Sequence, residues 1–178
     1  MNDFYTLFDP SSIGYDKQSI MDLCDYYTKN SLWDDIYPGV HLNSKRYSED
    51  FLNTDAKLII DSFHPDLNIT YKQAQLFQMN PGQKGILHKD TDRSAGVLFS
   101  ITPVGDEFSP IMFFNEEKEF VTELNYSNRA IILNVLKYHN VKYTNRVRVN
   151  FQIDFHISYA EVVELYRNGN LFKSGVNI

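Results

Sequence analysis

The chain has 178 residues, with 17 basic and 23 acidic side chains for a formal net charge of −6, and a single cysteine. One cysteine excludes a disulfide framework and any multi-cysteine zinc or iron–sulfur site. An acidic balance without a lysine–arginine cluster leaves nucleic-acid binding without electrostatic support. The length suits one domain with a substantial core. No apolar run approaches the ~18–20 residues needed to cross a bilayer, and the start, Met1-Asn-Asp-Phe-Tyr5, lacks the basic and apolar character of a secretion leader. A cytoplasmic protein with no membrane partner is therefore expected.

The first part of the chain, about residues 1–66, reads as helical support. Ile20, Leu23, Cys24 and Tyr27 recur at helical spacing, so the spacing predicts a helix from near Asp16, with Cys24 on its buried stripe. Pro38-Gly39 marks a turn. A second helix is predicted over Ser48–Phe63, with Ser48 as N-cap and Leu52, Ala56, Ile59 and Phe63 on one side. From about 69 to 157 the texture becomes that of a β core. Short runs rich in Val, Ile, Phe, Tyr and Thr, separated by turn residues, predict strands near 69–79, 96–103, 110–115, 118–124, 129–136 and 146–157. The last of these alternates: Val147, Val149, Phe151, Ile153 and Phe155 face one way, and Arg146, Arg148, Asn150, Gln152 and Asp154 the other. The polar face must meet water or line a polar cavity. Ser158-Tyr-Ala-Glu161 is a capping box opening a final helix over about 158–168. Helices around a β-rich core predict a mainly β fold, a double-stranded β-helix (a cupin-like jelly roll) packed by the N-terminal helices.

Five histidines are present, and two of them precede an aspartate by two positions: His64-Pro-Asp66 and His88-Lys-Asp90. On an extended segment that spacing places imidazole and carboxylate on one face, as a two-point metal clamp. His64-Pro-Asp66 closes a predicted helix, and its proline and aspartate suit a structural turn. His88-Lys-Asp90 instead follows the turn Asn80-Pro-Gly82 between predicted strands, at a rim where loops carry function. A third ligand is needed, and His139 follows the apolar run Ala130–Leu136. If the chain then reverses at Tyr143-Thr144, His139 pairs with Arg148, on the polar face of the last strand. An arginine there would fork onto the carboxylate of an anionic metal-bound acid. Arg146 shares the same parity and stays open as the anchor.

These pieces, in this order, resemble the iron(II)- and 2-oxoglutarate-dependent dioxygenases, in particular the branch of the prolyl and aspartyl/asparaginyl hydroxylases. The matching segments are Pro81-Gly82, His88-Lys-Asp90, Val97–Pro103, Ile111–Phe114, Ile131–Asn134, His139 and Arg146–Asp154. The resemblance implies a double-stranded β-helix with Fe(II) held by His88, Asp90 and His139. It further implies 2-oxoglutarate anchored by Arg148, dioxygen as co-reactant, and hydroxylation of a peptide or protein side chain or a small metabolite. It departs at Met79, where many relatives carry a tyrosine, so Tyr71, Gln73, Arg93 and Ser100 stand as candidates for the remaining cosubstrate contacts. Trp33, Asp34, Asp35, Tyr37 and the segment 83–95 are expected near the mouth. Two other readings use the same residues: a zinc hydrolase on the His-Asp-His set, and a non-catalytic jelly-roll binding module.

Overall fold

Strand alternation dictates the layers. The computed structural model describes residues 3–34, 42–83, 85–102, 110–126, 128–142 and 145–176. These form β1 (Tyr5–Phe8), α1 (Lys17–Lys29), β2 (Asn43–Arg46), α2 (Ala56–Ser62), β3 (Ala74–Met79) and β4 (Ala95–Ser100). They continue with β5 (Ile111–Phe114), β6 (Phe120–Leu124), β7 (Ala130–Leu133), β8 (His139–Val141), β9 (Arg148–Phe155) and α3 (Tyr159–Arg167). The strands form a six-stranded sheet in the order β1-β7-β4-β9-β3-β2 and a three-stranded sheet in the order β6-β5-β8. All the strand pairings are antiparallel. Two facing antiparallel sheets with crossed connections are the expected jelly roll, with helices outside.

The central strands β4, β7 and β9 of the larger sheet are buried on both faces, while its edge strands β1 and β2 are mostly half-buried. Val149, Phe151, Ile153 and Phe155 of β9 join Val97 and Phe99 of β4 and Ala130 and Ile132 of β7 in a core that also takes Ile20, Leu23, Cys24 and Tyr27 of α1. The alternate residues Leu98, Ile131 and Leu133 turn the other way and pack with Ile111, Phe113 and Leu124 of the smaller sheet. Aromatic rings lock the helical side: Phe51 meets Phe151 edge to face at 5.3 Å, and Phe63 lies 4.9 Å from Phe172. As its spacing predicts, Cys24 is a fully buried core residue, and burial pushes its thiol up to about 12. It is no nucleophile.

Local signals fix the element ends. The Asp16 carboxylate accepts from the Gln18 N–H to start α1. At Ser158 both halves of the capping box are made, and past the α3 C-cap Gly169 takes a φ of 71°, where a side chain would be strained. The predicted helix over Ser48–Phe63 is two pieces, a 3₁₀ segment Glu49–Asn53 and α2. Thr54 divides them: its backbone is extended, and its hydroxyl donates to the Phe51 carbonyl and accepts from the Ala56 N–H. The strand expected from residue 69 begins only at Ala74, because the capping box between Thr70 and Gln73 winds Tyr71–Gln73 into a 3₁₀ turn. β1, β2 and β8 carry no sequence signal strong enough to predict them. The turns at Pro38-Gly39 and Tyr143-Thr144 lie outside the described residues.

Candidate metal centre

Backbone pairing between two chain segments brings the clamp and the distal histidine together. His88 and His139 form an antiparallel bridge, with each N–H donating to the other's carbonyl at 3.1 and 2.8 Å. The Gly85 N–H bonds the Val141 carbonyl at 2.9 Å and the Asp90 N–H bonds the Val135 carbonyl at 2.9 Å, so residues 85–90 extend the smaller sheet beside β8. Glycine suits this close approach at 85, since a Cβ there would crowd the Asn140 side chain at 2.9 Å and the Val141 backbone nitrogen at 3.0 Å.

One ligand atom from each of His88, Asp90 and His139 falls within 4.8 Å of the others. The imidazole rings lie 4.4 Å apart between centroids, and Asp90 Oδ1 is 3.9 Å from His88 Nε2. The His88 Nδ1 lies 2.9 Å from the Ile86 carbonyl, and the His139 Nδ1 lies 2.8 Å from the Lys137 carbonyl. A carbonyl only accepts, so both Nδ1 atoms carry the proton and both Nε2 lone pairs are left to bind a cation. Burial, reinforced by the neighbouring His88, pushes His139 down to about 4, so it stays neutral near pH 7. Two imidazoles and one carboxylate on one side of an ion leave positions open opposite them, a donor set suited to ferrous iron and acceptable to zinc.

The cluster opens into a cavity of about 430 Å³ between the sheets. Phe77, Met79, Leu98, Ile111, Leu133 and Val141 supply apolar walls, and Arg148, Asn150 and Gln152, the polar face of β9, supply a hydrophilic one. Of the two alternatives for that face, the cavity is what the fold provides. Arg148 is 1% exposed. Its Nη2 donates to the Tyr126 hydroxyl at 2.7 Å, which donates in turn to Asn150 Oδ1 at 2.7 Å.

The expected direct pairing of His139 with Arg148 is not made. β8 pairs with β5 in one sheet, and β9 lies between β3 and β4 in the other, where Arg148 sits opposite Met79. Both residues line the cavity, from different sheets, instead of pairing along a hairpin. Arg146 is exposed and is not among the residues lining the cavity. His64 is structural, as read: its Nδ1 accepts from the Asp66 N–H at 3.3 Å at the start of a 3₁₀ turn. Tyr71 donates to Glu49, and Gln73 caps Thr70. Ser100 is buried on β4. Trp33 and Asp34 do not line the cavity; Asp34 pairs with Lys45 at 2.9 Å. Asp35 and Tyr37 lie outside the described residues.

Arg93 is already engaged. Its Nε donates to Asp90 Oδ2 at 2.9 Å and its Nη1 to Asp154 Oδ1 at 2.8 Å. Burial opposes its charge, but Asp154 and Asp90 outweigh that and raise its pKa above the ordinary value. Asp154 also accepts from the Gln75 and Gln152 side-chain amides. This network and Tyr126 are missing from the sequence reading as a constellation. Only the polar parity of Gln152 and Asp154 on β9 hinted at it.

No protein-family model matches the chain, and no curated protein matches it in sequence. Its fold, however, recurs among solved structures. A prolyl-4-hydroxylase from Pseudomonas putida shares 8% identity over 85% of this chain and 91% of its own, with a TM-score of 0.58. A prolyl hydroxylase from Trichoplax adhaerens, solved with a hypoxia inducible factor peptide fragment, shares 11% over 87% and 84%, at 0.60. AviO1 from Streptomyces viridochromogenes shares 10% over 87% and 90%, at 0.59. The chain thus has the double-stranded β-helix of the prolyl hydroxylases. The motif-based resemblance and the fold agree.

Proposed function

We propose that this protein is an Fe(II)- and 2-oxoglutarate-dependent dioxygenase that hydroxylates a C–H bond of a peptide or protein side chain or of a small metabolite. The observation that carries the reading is the convergence of His88, Asp90 and His139 on one cavity whose opposite wall holds the buried guanidinium of Arg148. In this reading His88 and His139 donate Nε2 lone pairs and Asp90 one carboxylate oxygen to the iron. Arg148, held by Tyr126, takes the far carboxylate of 2-oxoglutarate through charge-assisted hydrogen bonds. Iron in such a site couples dioxygen to oxidative decarboxylation of 2-oxoglutarate, giving succinate and carbon dioxide and placing the second oxygen atom in the substrate C–H bond. The chain's own part is to orient both acids and keep water from the reacting side, which the apolar walls at Leu98, Ile111 and Leu133 favour.

A peptide or protein side chain is the first substrate class to test, because one structure of the same fold is described with a bound peptide fragment. Among the described residues no helix is long and apolar enough to cross a membrane, and the buried, unpaired Cys24 suits a reducing compartment. A cytoplasmic location is part of the same proposal.

The test is turnover of 2-oxoglutarate in the presence of Fe(II), followed by succinate. Succinate that requires Fe(II) and disappears in Asp90→Ala supports the reading. Metal-dependent hydrolysis with zinc and no succinate would replace it with the hydrolase, and no glutamate among the described residues lines the cavity to serve such an enzyme as base. Ligand binding unchanged by His139→Ala would favour the binding module. Substrate then follows from a peptide and metabolite screen read by the mass gain of one oxygen.

A further inference from the structure

Behind the ligand cluster lies a buried chain of charge that the proposed chemistry does not itself require. Asp90 turns Oδ1 toward His88 and gives Oδ2 to Arg93. Arg93 spans from there to Asp154, on the central strand β9, 61 residues further on. Asp154 is in turn gripped by the amides of Gln75, on β3, and Gln152. All four supporting residues are nearly inaccessible: Arg93 is 8% exposed, Asp154 6%, Gln152 4% and Gln75 0%. Burying two carboxylates and a guanidinium is costly, and apolar residues of similar volume commonly fill such a space with equal or greater stability. A role beyond packing is the physical reason to keep them.

We infer that Asp154, Arg93, Gln75 and Gln152 form a positioning device that presents Asp90 to a metal through one oxygen only. This deepens the proposed reading and rests on it. Two effects combine. The Arg93 bond occupies Oδ2, so the carboxylate is held from rotating both oxygens onto the ion and closing a position needed by cosubstrate or dioxygen. Arg93 alone would also drain charge from Asp90 and repel a cation. Asp154 takes up the other end of the guanidinium, so the triad keeps a net negative charge and Asp90 keeps its donor strength. The glutamines hold Asp154 in place, and the backbone bond from the Asp90 N–H to Val135 fixes the loop end.

The test uses Mn(II) as a redox-stable probe of the ferrous site, titrated into the full chain without cosubstrate and followed by the EPR signal of free Mn(II). Asp154→Asn keeps volume and removes the charge. It is expected to weaken Mn(II) binding at least about 10-fold, as loss of outer partners of metal ligands does. Gln75→Leu leaves every charge in place and removes one of the two amide donors to Asp154, so it is the milder lesion, expected to weaken binding a few-fold and less than Asp154→Asn does. The double variant Arg93→Met/Asp154→Leu removes one charge of each sign and leaves Asp90 as the only charged member of the three. It is expected to melt cooperatively yet bind Mn(II) at least about 10-fold more weakly. In the Co(II)-loaded form its visible absorption should change as Asp90 rotates, which a purely structural role would not produce. Mn(II) affinity within two-fold of wild type in Asp154→Asn and the double variant would overturn the inference, provided wild type binds Mn(II) and loses it in His139→Ala. A wild type that binds no Mn(II), or binds it independently of His139, would instead sink the ligand assignment and this inference with it.

Discussion

Acidification should destabilise the metal-free protein through His139, and the size of the effect follows from its burial. The unfolded chain holds this imidazole at its ordinary value of about 6.5, whereas burial and the adjacent His88 push it down to about 4 in the fold. Between those values the unfolded state binds a proton that the native state refuses, so stability falls as pH drops through the window. The contribution is fully present above pH 6.5 and is lost by about pH 4, below which both states are protonated. At 1.36 kcal/mol per pH unit the full loss is about 3 kcal/mol, and for a chain of this length it should lower the melting temperature by about 6–12 °C. Melting curves of chelator-treated protein at several pH values, for wild type and His139→Gln, compare two proteins that share every other titratable group. The wild-type slope should exceed that of the variant by one proton between pH 6.5 and 4. Parallel slopes would refute the reasoning. Added metal should raise stability at pH 7 and steepen the acid loss, since proton and ion compete for the same imidazole nitrogens.

The anchoring residue is tested by affinity for 2-oxoglutarate on Mn(II)-loaded protein. Arg148→Met should weaken it at least about 30-fold, as loss of one partner of a buried charge pair does, while Arg146→Ala should change it less than two-fold; calorimetry showing the reverse order would exchange their roles. Phe151→Ala, at a fully buried ring that meets Phe51 edge to face, should cost about 3–5 kcal/mol in urea unfolding. Ser158→Ala removes one half of the α3 capping box and should cost about 0.5–2 kcal/mol by the same measure, with 2-oxoglutarate affinity unchanged.

The parts of this molecule legible in the sequence are those where a local pattern is also the packing pattern. The α1 stripe of Ile20, Leu23, Cys24 and Tyr27 is buried as spaced, and Ser158 with Glu161 makes the box its letters spell. β9 separates an apolar face from a polar one residue by residue, and the fold uses both. What could not be read is set by distant neighbours. Asn43–Arg46 has no apolar alternation and becomes strand β2 because the β3 edge is there to pair with it. Ser48–Phe63 keeps helical spacing across Thr54, yet the threonine hydroxyl bonds the local backbone and splits it. The His88, Asp90 and His139 set was legible because two of its members lie on one short segment. The placement of His139 and Arg148 across a cavity was not, because neighbours along the chain enter different sheets. Asp154 shows the same limit: it reads as one more residue of a polar face until Arg93, which the motif offered only as a cosubstrate contact, is placed beside it.

The most direct measurement is optical: anaerobic titration of 2-oxoglutarate into the Fe(II)-loaded chain, watching for a visible metal-to-ligand charge-transfer band. A band that saturates at one equivalent of 2-oxoglutarate per bound iron, vanishes in Asp90→Ala and needs far more 2-oxoglutarate in Arg148→Met is the predicted result. Iron bound tightly with no band at saturating 2-oxoglutarate would contradict it, since the two reactants would then not share a site.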